Sequence, residues 1–79
     1  MFIMVLTVVV GELEENCYIF VCDTTKKAAI IDPGDEAEKI DEVITKSNIK
    51  PVVIVNTHGH FDHVGANAHF KEKYDIPLL

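Results

Sequence analysis

The sequence predicts an α/β (α+β) fold, a mixed β-sheet with helices on one face. Three observations carry this. First, three consecutive apolar runs are followed by an amphipathic helical pattern, a fourth apolar run and a second helical pattern. Second, the links between the first three runs have hairpin length, which pairs them antiparallel, whereas the helix between the third and fourth makes a crossover and a parallel pair. Third, 48% hydrophobic and 25% charged residues is an ordinary globular balance, which excludes disorder, coiled coil and collagen. At 79 residues the chain is about half of a typical domain of roughly 100–150 residues. It holds one domain at most. A chain of that size buries only about 60% of its unfolded surface, so a lone copy needs good packing or a staple.

The elements follow in order. Residues 2–10 are rich in Val, Ile and Leu and read as a strand. Gly11 to Glu15 reads as a turn, and 17–22 as a second strand. The polar Asp23 to Lys27 connection leads to a third strand at 28–31, continuously apolar as if covered on both faces. Asp32-Pro-Gly34 ends it. A helix is expected over 36–48: Asp35 is a good N-cap and Glu38 completes a capping box. Ala37, Ile40, Val43, Ile44 and Ser47 fall on its apolar face, and Asn48 with Pro51 closes it. Residues 52–55 are a fourth strand, apolar throughout and so expected to be central, and 64–74 a second helix. Ile76 to Leu79 begins another extended piece.

Charge and cysteine usage bound the function. Net charge is −6, and all seven basic residues are lysines. The absence of Arg and of a basic face argues against nucleic-acid binding. Cys17 and Cys22 lie five residues apart in one strand, roughly 16 Å apart and on opposite faces at about 3.3 Å per residue. A disulfide between them is excluded by geometry. Free buried thiols are expected, which fits a reducing compartment. The apolar start at 1–10 lacks a basic region and a cleavage site, and is too short to span a bilayer. A cytoplasmic protein with no membrane partner is therefore expected.

His58, His60, Asp62 and His63 place four metal-competent side chains within six residues, just after a buried strand. Open α/β sheets place their sites at such strand ends. In an extended loop His58 and His60 point the same way and reach one cation. Asp62 and His63, at the start of a helix, reach a second position nearby. Imidazole and carboxylate donors suit Zn²⁺, and also Fe or Mn. The lack of Cys in the cluster argues against a closed structural zinc site. Two other readings stand beside this one: Asp62 as a helix cap in a polar histidine loop, or His60 and Asp62 with a distant His as a facial triad for Fe(II). His69 lies outside the cluster and reads as an exposed polar residue.

The run Thr57-His-Gly-His-Phe-Asp-His-Val-Gly65 resembles the signature of the metallo-β-lactamase fold. Asn16-Cys-Tyr-Ile-Phe20 and Ala29-Ile-Ile-Asp-Pro-Gly34 resemble the strand pair that precedes it in glyoxalase II-like (hydroxyacylglutathione hydrolase-like) members. Ala66 stands where many relatives carry a second Gly. The resemblance covers essentially the whole chain. It implies the N-terminal half of an αββα sandwich. It implies His58 and His60 on a first metal, and Asp62 and His63 on a second. The metals would be two Zn²⁺, with Fe or Mn as alternatives. Asp62 would also be the catalytic residue that orients the attacking water. Asp32 would sit behind the ligands and orient one of them; without the resemblance it reads as a turn-starting Asp before Pro-Gly.

Two metals need about three protein donors each, and the cluster offers four. The resemblance implies that the remaining donors and the second half of the sandwich come from downstream segments. Three functions follow. The first is hydrolysis of a small-molecule thioester, such as a glutathione thioester, by a metal-activated hydroxide. The second is another chemistry on the same fold: persulfide oxidation at one Fe, lactone opening or phosphodiester cleavage. The third is a non-catalytic fragment or self-assembling half-domain. An incomplete ligand set predicts little activity for the 79-residue chain. An uncovered sheet face predicts a homo-oligomer.

Overall fold

In the computed structural model, which describes residues 2–12, 14–34, 36–57 and 64–79 (Val64 and Gly65 as backbone), the alternating side chains of four strands build one mixed sheet. The strands are β1 (Ile3–Val10), β2 (Glu15–Cys22), β3 (Lys27–Ile31) and β4 (Lys50–Val55). They lie in sequence order, with β1–β2 and β2–β3 antiparallel and β3–β4 parallel. Helix α1 (Ala37–Lys46) makes the crossover and α2 (Val64–Tyr74) follows β4. Glu15, expected in a turn, and Asn16, which follows it, belong to β2 because they pair with Val10 and Val9.

One face of the sheet is the core. Leu6, Ile19, Ile30 and Ile54 are register partners across all four strands. Val8 and Cys17 form the neighbouring pair. Ile40 and Ile44 of α1 and Phe70 of α2 pack into the same cluster, so both helices cover this face. Each such side chain, fully buried, contributes about 1.5–3 kcal/mol. The other face carries the rows Val5–Phe20–Ala29–Val53 and Thr7–Tyr18–Ile31–Val55. It stays open at one side: Ile3, Val5 and Phe20 are 57%, 53% and 45% exposed.

Several expectations change. β3 is not covered on both faces; Ala28 and Ile30 are buried while Ala29 and Ile31 are half-buried. β4 is the last strand of the sheet rather than a central one. Among the described residues its outer side carries a parallel bridge from Ile54 to Leu78, with the Leu79 N–H donating to the Ile54 carbonyl at 2.8 Å and the Ile54 N–H to the Pro77 carbonyl at 3.0 Å. Pro51 is tolerated in β4 because the register shifts there by one residue, leaving Val52 exposed.

Helix α1 starts after Glu36, whose backbone is left-handed at φ 50°, with no side-chain cap bond. Asp35, the expected cap, lies outside the described residues. The Glu36 carboxylate instead accepts the Gly11 N–H at 2.7 Å, and Lys39 Nζ donates to the Val9 carbonyl at 2.5 Å. These tie the first turn of α1 to the end of β1. The helix ends at Lys46, and Asn48 turns left-handed at φ 55°, a residue type that tolerates this conformation. Ser47 is exposed, not part of the buried stripe. Both cysteines are free, but only Cys17 is buried; Cys22 is half-buried.

Candidate metal centre

The parallel pair β3–β4 brings two strand C-termini side by side, with Ile31 opposite Val55. Asp32 follows Ile31 with φ 53°. Its N–H donates to the Val55 carbonyl at 2.9 Å. Its carboxylate accepts the Thr57 N–H at 2.7 Å and the Thr57 hydroxyl at 2.5 Å. Asp32 therefore holds both the backbone and the side chain of the residue immediately before His58. Its positive φ also makes it the turn residue before Pro33.

The expected ligands His58, His60, Asp62 and His63, with Gly59, lie outside the described residues. The chain re-enters the described structure at Val64, the first residue of α2. Among the described residues no group of three or more His, Cys, Asp or Glu could hold a metal. The donor chemistry of three imidazoles and a carboxylate fits a divalent cation. Asn67, in the first turn of α2, keeps a buried Oδ1 that has no hydrogen-bond partner among the described residues, so polar capacity remains at the N-terminal end of α2.

Helix α2 is fixed by an apolar anchor and a polar one. Phe70 is fully buried and stacks on Tyr74 at a centroid distance of 6.2 Å, with His69 edge-on at 5.0 Å. The polar anchor is Asp41 of α1, buried beside Ile40 and Ile44. Its carboxylate takes His69 Nε2 at 3.0 Å, Lys73 Nζ at 2.5 Å and the Tyr74 hydroxyl. His69 is thus half-buried and engaged, not the exposed polar residue expected. Burial pushes the Asp41 carboxyl up, but the bonds from Lys73, Tyr74 and His69 outweigh it and hold it below its ordinary range. Burial, followed by the Asp41 bond and charge, pushes the Tyr74 phenol up. The sequence carried a signal for this network. Asp41 occupies the i+4 position of the Ala37, Ile40, Ile44 stripe, where an apolar residue is the norm.

The cysteines do not supply ready donors. Burial, with the Asp32 charge adding, pushes the Cys17 thiol up to about 12. Hydrogen bonds from Thr25 and Thr24 lower Cys22, which lies on the opposite side of β2 from Cys17.

Comparison with known proteins agrees with this arrangement. The family model described as "Metallo-beta-lactamase superfamily" matches residues 10–79. The chain is 39% identical over 69 residues to "Hydroxyacylglutathione hydrolase GloC" of Haemophilus influenzae, covering 87% of this chain and 32% of that protein. The solved structure of BLEG-1 B3 metallo-beta-lactamase superposes with a TM-score of 0.86 at 33% identity, over 95% of this chain and 35% of that one. TTHA1623 in a di-iron-bound form superposes at 0.77 with 41% identity, over 92% and 36%. The chain spans about a third of the length of these relatives. Its mixed sheet and two helices match the N-terminal part of the fold they share.

Proposed function

We propose, because the chain belongs to the metallo-β-lactamase superfamily, that it is the N-terminal, metal-donor part of a metal-dependent hydrolase acting on a small thioester of the acylglutathione type. The observation that carries this is the clasp of Asp32 on Thr57, the residue that precedes the donor sequence. His58, His60, Asp62 and His63 leave a Thr57 held by Asp32 at the C-terminal end of a parallel strand pair. The likeness to a hydroxyacylglutathione hydrolase supports the thioester, and the di-iron form of TTHA1623 supports metal ions. We take the cofactor to be two Zn²⁺, with Fe or Mn as alternatives. When bound, such ions acidify water and polarise a carbonyl. His58 and His60 would hold one ion and Asp62 and His63 the other. Asp62 would also orient the attacking water and take its proton. Asp32 keeps Thr57, and with it the start of this segment, in place.

Elemental analysis combined with a thioesterase assay on S-lactoylglutathione tests the reading. Bound metal is expected in the wild-type chain and its loss in His58→Ala and Asp62→Ala. Turnover is expected in a polypeptide of the relatives' length and little in the 79-residue chain, because four donors hold and position two ions poorly. A wild-type chain free of metal after reconstitution refutes the reading. Two free thiols support a cytoplasmic setting. Among the described residues no helix is long and apolar enough to cross a membrane. The net charge of −6 without Arg supports a small-molecule substrate rather than a nucleic acid.

The open sheet face supports a partner surface as well. Ile3, Val5, Val9 and Phe20 are exposed apolar residues on it, and exposed apolar surface favours association. For the 79-residue chain by itself the occupant is a second copy, and sedimentation at rising concentration is expected to show a dimer. A monomer throughout refutes this.

A further inference from the structure

In the sequence, residues 58–63 are flanked by two segments that are each held by a carboxylate. Before them Asp32 holds Thr57. After them Asp41 holds α2 through His69, Lys73 and Tyr74. The first of these partners lies five residues beyond Val64, about 7.5 Å along the helix axis. Apolar packing of Phe70 resists withdrawal of α2 from the core but is non-directional. Three hydrogen bonds to one carboxylate are directional. They fix the rotation and axial register of α2, and so where its first residue stands.

We propose that Asp41 is a positioning residue for metal binding: through His69, Lys73 and Tyr74 it sets the helix that carries the donor segment, and with it the far end of the site. The inference rests on the metal-binding reading above. A carboxylate is a poor choice for stability alone at a core position. Replacing buried ionic groups by apolar ones of similar volume is often neutral or stabilising. The cost of misplacing ligands falls on metal affinity instead, where lost supporting contacts weaken binding about 10–100-fold.

The two roles separate in Asp41→Leu, which keeps an apolar residue on the buried stripe and removes the directional bonds. The assay is Co²⁺ and Zn²⁺ affinity by competition with a chromogenic chelator, beside urea unfolding of the metal-free chain. Expected is a variant that still folds and, compared where urea unfolding shows both chains fully folded, binds metal at least tenfold more weakly. Glu42→Gln, which removes only the exposed pair with Lys46, should bind as wild type does. Should Asp41→Leu not fold, Tyr74→Phe takes its place. It deletes one donor and keeps the stack on Phe70, and is expected to weaken binding several-fold. Unchanged affinity in the folded variant overturns the proposal and leaves the metal reading standing. A wild-type chain that binds no metal overturns both.

Discussion

Removing the Asp32 carboxylate should unlock the strand end that leads into the donor segment, and the cost can be worked from its bonds. The carboxylate accepts two hydrogen bonds from Thr57, at 2.7 and 2.5 Å. Bonds to a charged group contribute about 1.5–3 kcal/mol when buried. This pair sits at a half-buried residue facing an exposed one, and solvent reduces each to about 1 kcal/mol. Thr57→Val, which deletes the hydroxyl alone, should then cost about 1 kcal/mol, and Asp32→Gly, which deletes both bonds, about 2 kcal/mol. Asp32→Ala should cost about 3 kcal/mol, since Ala at φ 53° adds a left-handed penalty of about 1–2 kcal/mol that Gly avoids. Total stability scales as roughly 0.05–0.15 kcal/mol per residue, and a short chain sits at the low end, so the Ala variant should be close to unfolding. Urea unfolding followed by far-UV circular dichroism reads the series. Equal stability of Gly and Ala would refute the strained backbone at 32. Wild-type stability in all three would refute the clasp itself.

Other outcomes follow from the same structure. Phe70→Ala should cost about 3–5 kcal/mol, enough to unfold the chain, because Phe70 is fully buried between the sheet and Tyr74; a cooperative urea transition like that of wild type would contradict this. The Asp41 carboxyl is held below its ordinary range. Its stabilising contribution is therefore present in full above the unfolded pKa of about 4 and is lost as pH falls through the folded value. Asp41→Asn should flatten the acid limb of the stability profile, and an unchanged limb would exclude this source. Thiol titration of the native chain should find Cys22 reactive and Cys17 silent, since Cys17 is buried with its pKa raised to about 12. Rapid modification of both would show that the core is open. Phe20→Lys, on the open face opposite Val5, should lower self-association without loss of helix content; unchanged sedimentation would place the contact elsewhere.

Much of the fold was legible because period and punctuation agree. The apolar, β-branched runs at 2–10 and 17–22 read as strands, and the helix between the third and fourth runs reads as a crossover in a mixed sheet. Several misreadings concern which faces and edges are covered. The short run at 28–31 looks doubly buried, but its second face is only half-covered. The run at 52–55 looks central, but among the described residues it is the last strand of the sheet. Apolarity records that a face is meant to be covered. It does not record which chain covers it. At the site, residue chemistry and spacing single out His58, His60, Asp62 and His63 as candidate donors, and the family resemblance, not the spacing, singles out Asp32. Its partner, Thr57, was not legible, because a bond between residues 25 apart is a product of strand register. Asp41 was missed although its place on the apolar stripe marked it, since its three partners stand on a helix that local pattern cannot orient.

The sequence by itself thus determined the order of elements, the parallel and antiparallel pairings they permit, and a donor set suited to a divalent cation. Those depend on residue chemistry and on short-range periodicity, which a linear chain carries in full. Only the tertiary structure decided that Asp32 clasps Thr57, that His69 is bound by Asp41 rather than exposed, and that one sheet face is left open at Val5 and Phe20. These are contacts between segments distant in sequence. Their free energy exists only once the sheet register and the helix packing bring the groups within hydrogen-bond or van der Waals range.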